Sequence, residues 1–204
     1  MTAQSIEYAA EGRVELVEVD APEPGPGEVQ VEKRACGICA WDVATFQLGP
    51  EWEVAAPPGH EGAGVVTAVG EGVEEFSPGD AVAGGGFATV ENLPVDRAVK
   101  LPQGIEDEEW PCWVVEPVEC VVNAVDLAPL RPGDRVVLIG AGYMGLLLLQ
   151  VVRAWSACGI TVVDVREKCV QLAGELGADR ALNGAKMPPE RVRDEVSPDI
   201  VIDT

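Results

Sequence analysis

The chain carries a single histidine, His60, in the run Pro58-Gly59-His60-Glu61-Gly62. Cys36-Gly37-Ile38-Cys39-Ala40-Trp41-Asp42 lies about twenty residues before it, and Glu116-Pro117 opens an apolar stretch further on. A lone histidine is more often structural than a ligand. Thiolate, imidazole and carboxylate together are the donors that suit zinc, and a catalytic zinc takes three protein ligands and leaves a fourth position open. The chemistry on offer is Lewis-acid polarisation of an oxygen atom. A CxxC can also be half of a zinc ribbon, but the sequence holds no second one. Cys112, Cys120, Cys158 and Cys169 lack ligand spacing and read as core residues. Cys120, one helical turn after Glu116, has a cleft-facing position as its lesser alternative.

A second constellation begins at Val136-Val137-Leu138-Ile139, an apolar strand running into Gly140-Ala141-Gly142-Tyr143-Met144-Gly145 and then an apolar helix. A GxGxxG run alone is weak evidence; between a strand and a helix it reads as a dinucleotide turn. Gly140 allows the tight turn, Gly142 lets the backbone approach a pyrophosphate, and Gly145 lets helix and strand pack closely. Amides at the helix start then stabilise the phosphate charge. Asp164, 24 positions after Gly140, ends the next strand and is expected to bind the adenosine ribose hydroxyls. A carboxylate there repels the extra phosphate of NADP, which favours NAD. Arg166, two residues later, is the counter-signal, because an arginine can accept that phosphate.

These residues need elements to hold them. The first 110 residues are strand-like and punctuated by Gly and Pro, with strands expected at 14–16, 29–32, 64–69, 80–83 and 87–90. Short strands with such turns suggest a small barrel or sandwich. From Val114 to Leu127 the sequence reads as a helix with Pro117 in its first turn. A β–α rhythm follows, with strands at 135–139, 160–165, 180–182 and 199–203, and helices at 143–157, 166–176 and 190–195. That order means a parallel α/β sheet.

The chain has 204 residues, 47% of them apolar, and a net charge of −21 from 35 acids against 14 basic residues. So acidic a surface repels phosphate backbones and anionic lipids, which argues against nucleic-acid and membrane partners. Residues 1–10 lack the pattern of a signal peptide, and no apolar run is long enough to span a bilayer. Cytoplasmic localisation and reduced thiols are therefore expected.

Cys36 to Asp42, Gly59 to Gly62, Glu116-Pro117 and Gly140 to Gly145 occur in the order found in the zinc-containing medium-chain dehydrogenases, which this chain resembles along its whole length. The resemblance is nearest to the polyol and threonine dehydrogenase branch, with Glu-Pro at residues 116–117. It implies a chaperonin-10 (GroES)-like β-barrel over residues 1–125 and a partial Rossmann doubly wound sheet over 126–204. It implies a zinc ion and NAD moving a hydride from a secondary alcohol or polyol, in a homo-oligomer (dimer or tetramer). By motif, the zinc ligands would be Cys39, His60 and either Glu61 or Glu116. Asp42 would accept a hydrogen bond from His60 and so orient it. Cys36 would be a packed thiol, with a disulfide to Cys39 as the lesser alternative.

Three departures stand out. Trp41 replaces the family's Ser or Thr in the proton relay, and an indole can only donate; Ala44 replaces a relay histidine. Trp41 is then either a substrate-pocket wall or plain packing. The four-cysteine lobe of a structural zinc is absent around 83–87, so one zinc per chain is expected. The run 199–203 reads as a fourth Rossmann strand of six, which makes the sequence read as a fragment. The alternatives are a non-catalytic zinc- or nucleotide-binding fragment, a zinc-independent NADP-linked reductase of the same superfamily, and an enzyme that oxidises only transiently.

Overall fold

The computed structural model describes residues 2–49, 58–155 and 159–204. Contacts divide the chain into two compact units, Met1–Glu116 and Pro117–Thr204.

In the first unit, β1 (Thr2–Ala10) and β2 (Arg13–Asp20) form an antiparallel hairpin. The sequence showed β2 only in part and β1 not at all, because β1 turns Ala3 and Ser5 inward in place of large apolar residues. β3 (Glu28–Cys36), β4 (Gly62–Val69), β5 (Ala81–Ala83), β6 (Val90–Pro94) and β7 (Val99–Lys100) make a second antiparallel sheet in the order β6-β3-β4-β5-β7. Its two edge strands, β6 and β7, are neighbours in the chain, joined by a 3-10 turn at Val95–Arg97. A flat sheet of five strands is about 19 Å wide, more than so short a link spans, so the sheet rolls up. Val29, Val31, Val66, Phe76, Val82 and Leu93 fill one core, and Ala63, Ala81, Ala83, Leu101 and Trp110 a second.

The strand expected at 87–90 lies later, at β6, because residues 84–87 bond instead to Pro58 and Gly62. Helix α1 (Ala40–Leu48) was not foreseen. It begins after Cys39, which is not among the preferred capping residues, so it carries no conspicuous start signal.

The second unit holds α2 (from Glu116, the last residue of the first unit, to Leu127), β8 (Arg135–Ile139), α3 (Tyr143–Trp155), β9 (Gly159–Asp164), α4 (Glu167–Glu175), β10 (Arg180–Asn183), α5 (Pro189–Val196) and β11 (Ile200–Asp203). The four strands are parallel in the order β10-β9-β8-β11, which is the 3-2-1-4 order of a Rossmann half. Leu138, Leu149 and Ile160 are fully buried in its core, beside Val121 and Val125 of α2. Each such side chain stabilises by about 1.5–3 kcal/mol. The elements match the β–α rhythm to within two residues where described; the expected end of α3 and Cys158 lie outside the described residues.

Two cysteines read as core residues are not. Cys112 and Cys120 are exposed, because Trp110 fills the core from the 3-10 turn Trp110–Trp113 and Val121 and Val125 form the buried face of α2. Cys169 does pack against the core of the second unit. No helix among the described residues is long and apolar enough to cross a membrane.

Candidate metal centre and nucleotide turn

β3 and β4 pair so that Cys36 stands opposite Gly62, and the Gly37 amide donates to the Glu61 carbonyl at 2.9 Å. This pairing carries the chain from β3 into α1 beside the residues that open β4. Cys39 is the N-cap of α1. As a result the ligand atoms of Cys39, His60 and Glu61 all lie within 4.8 Å of one another. A soft thiol, an imidazole and a carboxylate at that spacing fit a zinc ion.

Glu61 is buried, and burial first, then the charge of Glu116, raises its carboxyl above the ordinary range. A cation among these groups would offset that cost. Glu116, half-buried at the start of α2, is close enough to act on Glu61 but is not in the group of three. Cys36 and Cys39 are both free thiols, and burial pushes Cys36 up to about 11, which keeps it neutral.

A Cβ at Gly37 would fall on the Glu61 carboxylate. Gly37→Ala should therefore displace Glu61 and weaken zinc binding by about tenfold or more, in a chelator competition with little change in unfolding midpoint.

Asp42 is engaged differently from the expectation. Its Oδ2 accepts from the Cys39 amide at 2.8 Å and its Oδ1 from the Tyr8 hydroxyl at 3.2 Å, and among the described residues it makes no hydrogen bond with His60. The reason is its place in the first turn of α1, where a carboxylate reaches back to the N-cap amide. Trp41 is 49% exposed on α1, and its carbonyl accepts from the Thr45 hydroxyl. Beside Asp42 opens an apolar cleft of about 460 Å³ lined by Ile6, Tyr8, Ile38, Val43, Phe46 and Phe87.

Sequence reading missed the support beneath this group. Lys33 and Glu91 form an ion pair at 2.7 Å, the lysine side chain buried and the glutamate side chain half-buried. Lys33 Nζ also donates to the Gly84 carbonyl at 2.7 Å, and Glu91 Oε1 accepts from the Gly86 amide at 2.6 Å. The loop they hold bonds Gly62 from both sides: Gly84 N to Gly62 O and Gly62 N to Gly85 O, each 2.8 Å. The pair thus braces the backbone next to His60 and Glu61. Burial lowers the Lys33 pKa, opposed by Glu91.

In the second unit, β8 delivers Gly140 with φ +98°, and a Cβ at Gly145 would fall on the Gly140 carbonyl. Tyr143 and Met144 open α3 and are exposed. Asp164, at the end of β9, is buried, and its Oδ2 accepts from the Ala141 amide inside the turn at 2.8 Å. Arg166 closes on the same carboxylate, Nε to Oδ1 at 3.0 Å and Nη2 to Oδ2 at 2.9 Å. The Arg166 hydrogen bond, outweighing burial, holds the Asp164 carboxyl well below the usual range. Thr204, which carried no signal in the sequence, donates through Oγ1 to the Ile139 carbonyl at 3.2 Å and helps fasten the turn.

The rolled antiparallel sheet with its Cys-His-Glu group, followed by a parallel sheet with a glycine turn, defines a class, and comparison with known proteins agrees. The alcohol dehydrogenase GroES-like domain family matches residues 25–103. The chain is 31% identical to the uncharacterized zinc-type alcohol dehydrogenase-like protein YdjJ of Escherichia coli K12, over 95% of this chain and 67% of that protein. It is 33% identical to L-threonine 3-dehydrogenase of Pyrococcus furiosus, over 87% of this chain and 59% of that one. Among solved structures, the rspB alcohol dehydrogenase of E. coli CFT073 in complex with NADH superposes with a TM-score of 0.84 at 27% identity, over 100% of this chain and 69% of that one. The chain belongs to the zinc-type medium-chain alcohol dehydrogenase family. It spans between 57 and 69% of the length of the curated relatives it matches.

Proposed function

We propose that the protein is a zinc-dependent oxidoreductase that moves a hydride between a secondary alcohol or polyol and NAD. The observation that carries this reading is the convergence of Cys39, His60 and Glu61 ligand atoms within 4.8 Å, in a chain that also builds a GxGxxG turn. Zinc held by these three would supply Lewis acidity, lowering the pKa of a substrate hydroxyl. A bound nicotinamide would supply the hydride acceptor, and the hydroxyl proton would need an acceptor among the residues of the chain. Trp41 cannot take it. Glu116, the carboxylate outside the group of three, is assigned that role.

The test is NAD reduction with a panel of secondary alcohols and polyols, before and after chelation. Turnover that chelation abolishes and zinc restores is expected; turnover untouched by chelation would instead support the zinc-independent reductase. Glu116→Gln should keep its zinc and lose about 10²-fold or more in kcat; an unchanged kcat would remove Glu116 from the proton path.

A further inference from the structure

We infer that Arg166 lets the site take a 2′-phosphorylated adenosine about as readily as an unphosphorylated one. This rests on the dinucleotide reading above and concerns the same turn. A carboxylate has about four acceptor positions, and four donors fill those of Asp164. Oδ1 accepts from the Arg166 amide at 2.7 Å and from Nε at 3.0 Å; Oδ2 accepts from the Ala141 amide at 2.8 Å and from Nη2 at 2.9 Å. A ribose diol finds no free acceptor position on Asp164 until the guanidinium moves.

The two partners are unequally held. The Asp164 side chain is 5% exposed and that of Arg166 is 61% exposed, so the acid is fixed and the arginine faces solvent. Arg166 Nη2 also stands 3.7 Å from where a Cβ on Gly142 would be, so the guanidinium lies over the glycine at which a pyrophosphate approaches. An incoming dinucleotide meets this cation first. A lone carboxylate repels a 2′-phosphate, but an aspartate–arginine pair has no net charge. With an unphosphorylated ribose, Arg166 swings into solvent and Asp164 accepts the diol. With a 2′-phosphate, the guanidinium pairs with the phosphate oxygens, for which its planar fork is well suited.

ADP-ribose and 2′-phospho-ADP-ribose test this without the nicotinamide, by calorimetric titration of the 204-residue chain and its variants. The wild-type chain should bind the two within about fivefold of each other. Arg166→Ala should shift the ratio at least about tenfold toward ADP-ribose, and Asp164→Ala should shift it the other way, because the freed guanidinium then serves the phosphate alone. The same ratio in wild type and Arg166→Ala, with both ligands bound, would overturn the role of Arg166 and leave the dinucleotide reading standing. Loss of both ligands in Arg166→Ala alone would make the arginine a brace of the turn and also overturn that role. If wild type binds neither ligand, the dinucleotide reading falls as well.

Discussion

Cys39→Ser is expected to lose zinc while keeping its fold, and His60→Ala to do the same. Zinc sites bind with about 10–16 kcal/mol in total at neutral pH, so one ligand among four positions carries roughly 2.5–4 kcal/mol, a loss of about 10²–10³ in affinity. Cys39→Ser is the more telling variant. Serine is among the preferred N-cap residues, and residue 39 is the N-cap of α1, so the helix should be as stable as before or more so. Asp42 still finds its amide partner, because that bond comes from the backbone of residue 39. A fall in zinc affinity by chelator competition, with an unchanged melting midpoint of the apo chain, identifies the thiol as a ligand. Zinc affinity within about threefold of wild type in both variants would end the assignment.

Lys33→Met should be strongly destabilising. It strands Glu91, whose side chain is 20% exposed, without its partner, whose own side chain is 7% exposed. Breaking a buried pair by removing one member costs about 3–5 kcal/mol, because the remaining charge is left uncompensated. The Gly84 carbonyl loses a donor as well. The double variant Lys33→Met, Glu91→Leu should recover most of the loss, since two apolar groups replace a buried ion pair at little cost. It should stay about 1–3 kcal/mol below wild type, because the Gly84 carbonyl and the Gly86 amide lose their side-chain partners. Urea unfolding of the three proteins checks this. A single variant within about 1 kcal/mol of wild type would show that the pair does not brace the loop.

The sequence showed the second unit more fully than the first, for a physical reason. Its elements alternate over short distances, and the residues of the turn are neighbours in the chain, so strand, glycines and helix appear as one local pattern from Val136 to Gly145. In the first unit the Cys-His-Glu group was visible as residue types, but what supports it comes from afar. Lys33 and Glu91 meet because β3 pairs with β6, and within β3 a lysine among alternating residues reads as solvent-facing. Tyr8 reaches Asp42 from β1, a strand with small inward residues and no apolar signal. That contact and the capping turn are the bonds the Asp42 carboxylate makes, where one to His60 was expected. Asp164 was found from its distance to Gly140, yet its being covered depends on the rotamer of Arg166, which no spacing reveals.

Whether Cys39, His60 and Glu61 hold a metal is read most directly from the metal content of the chain. Native mass spectrometry after purification without chelators should show one zinc per chain, lost in Cys39→Ser and in His60→Ala. A wild-type chain that carries no zinc when zinc is supplied, or that keeps it in both variants, would contradict the central claim that Cys39, His60 and Glu61 form the metal centre.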